Sequence, residues 1–162
     1  MVNHHVVSIA AAPGDVFRQL VLWGESEWWP GESPMSYKRI TEGDIGVGTR
    51  YRQKVRSVIS LEWDVEIISL TEGREVSAKF LNGMFEGVYR LYVIPEENHA
   101  EAHFMMDYRV KGAMNRLMWR FFFMKRHDRN IEKILLAMKG YIEGGVSGIS
   151  GNEDKNELEC RG

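Results

Sequence analysis

Asp128 is the acid with the most chemistry to offer in this sequence. Phe121, Met124, Asp128, Ile131 and Leu135 recur at steps of three and four, which sets all five on one stripe of a helix. A carboxylate on such an apolar stripe needs a partner, or desolvation raises its pKa. Raised, it could act as general acid or base beside Tyr51 or Tyr108. The competing arrangement rotates the stripe slightly, so that Asp128 meets solvent or an arginine. His127, one position round the helix, is expected at the flank.

The remaining candidates are mostly aromatic. Tyr51, Gln53, Trp63, Tyr89 and Tyr108 all fall on the apolar side of alternating segments. The stretch "GESEWWPGES" adds Trp28 and Trp29, adjacent among acids, glycines and a proline. With Phe121 and Met124 these residues form the expected ligand-binding wall. A greasy surface with a few hydrogen-bonding tips is the usual make-up of a small-molecule pocket. The plain alternative is that they fill a core.

Other chemistries find little support. His4 and His5 are adjacent on a predicted strand and face opposite ways, which makes a poor chelate. Neither H-x-E nor H-E-x-x-H occurs, so no metal site is expected. The only cysteine, Cys160, forms no internal disulfide and suits a reducing compartment. The glycines of "EGDIGVG" lack the Lys-Ser/Thr ending and following helix of a phosphate loop, and read as a turn before a strand. No cofactor is expected.

The elements that must position these residues follow from the patterning. At 162 residues the chain is expected to form one domain over residues 1–143, followed by a flexible, glycine-rich tail over 144–162. "NHHVVSIA" reads as a first strand, and "PGDVFRQLVLW" as a helix ended by Gly24. "ESEWW" could add a second short helix before Pro30. Residues 35–110 then alternate with period two, broken by turn signals at Glu42–Gly48, Thr71–Gly73, Asn82–Gly83 and Glu96–Asn98. Arg50, Arg52, Lys54 and Arg56 share one face, and Glu62, Asp64 and Glu66 share another. A hairpin turning near 58–60 would set Arg56 opposite Glu62, Lys54 opposite Asp64 and Arg52 opposite Glu66. That makes the basic stripe part of a solvated outer face. In "AEAHFMMDYRV", His103 likewise points outward.

From about 114 to 143 apolar residues recur at helical spacing, giving one helix of some 28 residues and about 42 Å. Gly144 and Gly145 are expected to stop it. Between 111 and 139 this segment carries Lys111, Arg116, Arg120, Lys125, Arg126, Arg129, Lys133 and Lys139 against Asp128 and Glu132. Cations beside Trp119 and a Phe triplet could dock on an anionic membrane or a partner. Membrane contact is nonetheless not expected, because the aromatics can pack under the sheet while the cations line an exposed face. Net charge is −2, so no nucleic-acid partner is expected. No long apolar run or leader pattern is seen, and a cytoplasmic location is expected.

The order of elements is similar to that of START-like (SRPBCC) helix-grip proteins. The resemblance rests on "SIAAAPGDVFRQLVLWGESEWWPG", "EGDIGVGTRYR", "GMFEGVYRLYVIPEENHAEAHFMMDYRV" and the terminal helix, and spans about residues 3–143. Within that group it is nearest the polyketide cyclase/dehydrase and lipid-transport proteins. It implies an α+β helix-grip fold, in which a curved antiparallel sheet of about seven strands wraps a long C-terminal α-helix. Two short helices would follow the first strand and lie near the cavity mouth, where Trp28 or Trp29 would close it. The implied function is binding of a small hydrophobic molecule, aromatic or lipid-like, in the cavity between sheet and helix. One alternative is a cofactor-independent cyclase or dehydrase using Asp128 and tyrosines. Another is a lipid-transfer or partner-binding module using the basic helix. The shortage of inward acid/base groups favours binding over catalysis.

Overall fold

The computed structural model describes residues 1–57 and 60–149. Strand β1 (Val2–Ile9) leads into helix α1 (Pro13–Val21), and then come β2 (Met35–Arg39), β3 (Arg50–Val55) and β4 (Leu61–Thr71). β5 (Glu75–Phe80), β6 (Phe85–Pro95) and β7 (Ala100–Val110) complete the strands. Helix α2 (Ala113–Met118), a π-helical turn (Trp119–Phe123) and helix α3 (Met124–Ile149) run on without a break. The sheet is fully antiparallel in the order β1-β7-β6-β5-β4-β3-β2. This is the α+β helix-grip fold that the patterning implies.

The second short helical segment after β1 takes the form of successive turns, closed by bonds such as Trp23 N–H to Leu20 O and Trp29 N–H to Ser26 O. Gly24 is required here on two counts. Its φ is +85°, and an added Cβ would lie 2.4 Å from the Tyr37 ring. The turn lets α1 cross the concave face and bury Val16, Phe17 and Leu20 against the sheet.

Alternation along the strands sorts the two faces as expected. Tyr51, Gln53, Trp63, Val65 and Ile67 are buried, while Arg50, Arg52 and Lys54 are exposed. The hairpin register differs from expectation by two residues: Arg50 lies opposite Glu66, Arg52 opposite Asp64, and Lys54 opposite Glu62. A shift of two keeps every side chain on its face, so hydrophobic pattern alone cannot fix it. Opposite charges face one another in either register. Arg52 donates to both Asp64 oxygens at 2.9 and 3.3 Å, and Glu66 takes both Arg50 and Lys79. The expected turn near 58–60 falls largely outside the described residues.

His103 does point to the convex face but is buried there. Tyr92 stacks on it at 4.5 Å and His4 at 5.2 Å, and the His4 and His103 rings share a hydrogen bond of 3.0 Å.

The C-terminal helix grips the concave face through Ile131, Ile134, Leu135, Met138 and Ile142, all buried. Traced backwards, the inward line passes through Asn130, His127, Phe123 and Trp119. The π turn is what shifts the phase from the expected stripe. It takes an extra residue into one turn, and each residue is worth about 100°. Phe121 therefore leaves the interior and stands 68% exposed, with Phe122 beside it. At the other end α3 runs through Gly144 and Gly145 to Ile149, beyond the expected stop. Residues 150–162 of the expected tail lie outside the described residues.

This phase has a direct test. Leu135→Ala is expected to cost about 2–5 kcal/mol, and Leu136→Ala, one position round on the solvent side, to stay within about 0.5 kcal/mol. Urea unfolding of the two variants measures the difference.

Candidate functional site

Between β2–β4 and the start of the C-terminal helix lies an apolar chamber of about 40 Å³. Its floor is built from Met35, Val55, Leu61, Trp63, Trp119 and Phe123. Its polar members are Arg56, Ser57, Arg126, His127 and Asn130. A narrower void of about 10 Å³ continues inward past Gln53, Tyr89 and Phe104, and shares Met35, Trp63 and His127 with the first. The combined space holds a few waters but is well short of the ~300 Å³ of an ordinary ligand pocket. A larger ligand therefore needs the cover to move.

Among the expected site residues, the strands bring Gln53, Trp63 and Tyr89 together. Trp63 donates its indole N–H to Gln53 Oε1 at 2.5 Å, and Gln53 Nε2 donates to Tyr89 Oη at 3.4 Å. Burial holds the Tyr89 phenol well above its usual pKa, so it stays protonated and serves as a hydrogen-bonding tip. Tyr108 is spent differently: its Oη accepts the Trp119 indole N–H at 2.8 Å and so anchors the π turn to β7. Tyr51 is buried on β3 but lines neither space. Met124 packs half-buried at the core edge, and Phe121 faces solvent.

Trp28 and Trp29 line neither space. They join Trp23 in an aromatic cluster with centroids 5.4–6.2 Å apart, backed by Tyr37 and Phe104. Each indole N–H is satisfied: Trp28 donates to Gln19 Oε1 at 2.8 Å and Trp29 to the Met35 carbonyl at 3.0 Å. Through Met35, Trp29 steadies one wall of the chamber without touching its space.

Asp128 and His127 exchange the roles expected of them. Asp128 sits at the helix edge, one-third exposed, where its carboxylate accepts from Asn3 on β1. The His127 ring beside it, and then the Asn3 amide, hold its carboxyl below the usual range against the opposing effect of burial. An ionised anchor of this kind does not suit a general acid at neutral pH. His127 instead turns inward, its side chain only 9% exposed, with ring contacts to Phe104 and Trp119 at 6.1 and 5.5 Å. His5 faces the same edge, 3.8 Å from Asp128 and 3.7 Å from Glu132, and burial lowers its pKa. Among the described residues no cluster of three or more His, Cys, Asp or Glu could hold a metal ion.

Sequence reasoning gave no place to Asn130, Trp119 or Phe123 in the wall, and set His127 at the flank. One signal was present. Ile131, Ile134 and Met138 fix the phase of α3, and steps of four back from Ile131 reach His127, Phe123 and Trp119.

No protein-family model matches the chain, and no curated protein matches its sequence. Solved structures do match. TTHA0849 from Thermus thermophilus aligns with a TM-score of 0.70 at 16% identity, covering 90% of this chain and 99% of that one. Norcoclaurine synthase from Thalictrum flavum, solved with dopamine and hydroxybenzaldehyde, aligns at 0.62 and 18% identity, covering 91% and 87%. Aha1 from Colwellia psychrerythraea, solved as a dimer, aligns at 0.61 and 17%, covering 88% and 96%. At such identities the likeness is one of fold, and it agrees with the START-like helix-grip order of elements.

The depressed Asp128 carboxyl has a measurable consequence. Its stabilisation is complete above the ordinary value of 3.8 and disappears as pH falls through the lower folded value. Asp128→Asn is expected to lose about 1 kcal/mol at pH 7. Unfolding midpoints of the two proteins should converge as pH is lowered well below 3.8.

Proposed function

We propose that this protein binds a small hydrophobic molecule, aromatic or lipid-like, in the chamber between the sheet and the C-terminal helix. The observation that carries this reading is how the chamber is covered. One side of it is the π turn, which brings Trp119 and Phe123 to the chamber; together with α2 it buries Trp119 alone and leaves Met114, Leu117, Phe121 and Phe122 to solvent. A side held by so few buried side chains yields more easily than the strands, and moving it enlarges a space whose strand wall holds Met35, Leu61 and Trp63. The solved structure of norcoclaurine synthase with two small aromatic molecules shows that a protein of this fold can take such ligands. A cyclase or dehydrase activity would have to draw on His127, the one imidazole in the chamber wall, rather than on Asp128.

The test uses N-phenyl-1-naphthylamine, a neutral apolar dye that brightens on leaving water. We expect saturable binding, and an affinity at least about tenfold weaker in Leu61→Trp, where an indole fills the chamber. No binding by the unaltered chain, or equal binding by both, would sink the reading.

A second reading, lipid handling at a membrane surface, is favoured by the exposed patch itself. Met114, Leu117, Phe121 and Phe122 stand among Lys111, Arg116, Arg120, Lys125 and Arg126, with no acid between residues 111 and 127. Apolar side chains ringed by cations suit an anionic bilayer. The chain is expected to float with phosphatidylserine-containing vesicles at low salt, and to be released by added salt or by the paired change Phe121→Glu and Phe122→Glu. Failure to associate at low salt would count decisively against it.

A further inference from the structure

Asn130 on α3 is 6% exposed, and its amide is held one way round. Ser33 Oγ accepts the Met35 backbone N–H at 3.2 Å, and it donates its own proton to Asn130 Oδ1 at 3.0 Å. With Oδ1 so identified, the other end of the amide is the donor, Nδ2. That Nδ2 is buried at the chamber wall and has no hydrogen-bond partner. One turn back, His127 also lines the chamber, with Nδ1 turned toward the Asp128 carboxylate at 3.6 Å. Native structures rarely leave a buried donor empty.

The charges around the chamber narrow what that is. Arg56 and Arg126 both line it, and neither makes an ion pair among the described residues. Among those residues no aspartate or glutamate lines it. The wall therefore offers an amide donor, an imidazole and two guanidinium groups above a floor of Met35, Leu61, Trp63, Trp119 and Phe123. That set complements one negative, oxygen-bearing group carried on an apolar body.

We propose that the chamber selects apolar carboxylic acids, taken as carboxylates. One carboxylate oxygen accepts from Asn130 Nδ2, Arg126 pairs with the group at the rim, and the hydrocarbon body lies against Leu61 and Trp63. This rests on the hydrophobic-binding reading above and adds the head group. It also gives the Ser33–Asn130 bond a purpose, since without it the amide could turn its oxygen toward the ligand and repel it.

Calorimetric titration of the full chain with decanoate and with 1-decanol, matched in chain length, tests the proposal. Decanoate is expected to bind at least about tenfold tighter than decanol. Arg126→Gln, at an exposed position, should reduce that preference about tenfold. Asn130→Asp keeps the Ser33 bond and the side-chain shape but sets an acid against the carboxylate, and should remove the preference. Equal affinity for acid and alcohol, or a preference untouched by both variants, would overturn the head-group assignment and leave hydrophobic binding standing. No binding of either compound would overturn both.

Discussion

The grip of one helix on the concave face of one curved sheet is the contact on which the rest of this molecule depends. Ile131, Ile134, Leu135 and Met138 bury against the sheet, and removing such side chains from water is the largest favourable contribution the helix makes. Their phase then decides what every other residue of the helix faces. At its start the π turn adds a residue, tucking Trp119 under β6 and β7 and turning Phe121 and Phe122 outward. The Trp119–Tyr108 hydrogen bond and the Trp119 packing on Phe85 at 4.7 Å hold that turn in place. A single local irregularity thus separates the chamber wall from the exposed cover.

Polar groups divide according to the same geometry. On the convex side charges find partners across strands, as in the Arg52–Asp64 fork and the Glu66 pair with Arg50 and Lys79. At the seam between β1 and α3, Asn3 and His127 hold Asp128 ionised. Deeper in, Gln53 is satisfied by Trp63 and Tyr89. The chamber wall, by contrast, keeps a polar atom without a partner at Asn130, and there the charged neighbours are both cationic. Electrostatics and packing therefore single out the same small space, although the resting space is too small for a ligand of ordinary size.

Much of the fold was legible in the sequence. Period-two alternation gave the strands and their faces, and paired glycine and asparagine turn signals gave most of the strand breaks, because both follow from local backbone geometry. Gln53, Trp63 and Tyr89 were recognisable as inward for the same reason. The hairpin register was not, since a slip of two residues preserves each face and sets acids opposite bases in either case. Trp28 and Trp29 were legible as partners of the interior. Their assignment to a packed indole cluster needed Trp23, Tyr37 and Phe104, which lie far from them in sequence or on other elements.

The sequence by itself determined which segments are strands and helices, which strand faces are dry, and that the chain carries an aromatic, basic C-terminal helix. Those properties depend on neighbours a few residues away. Tertiary structure alone decided that His127 and Asn130, rather than Asp128, face the chamber. Adjacent positions on a helix differ by about 100°, so a small error in the inward line exchanges Asp128 for its neighbours, and only the packing of α3 on the sheet settles it. The orientation of the Asn130 amide likewise depends on Ser33, 97 residues away in the chain, and no reading of local pattern could supply it.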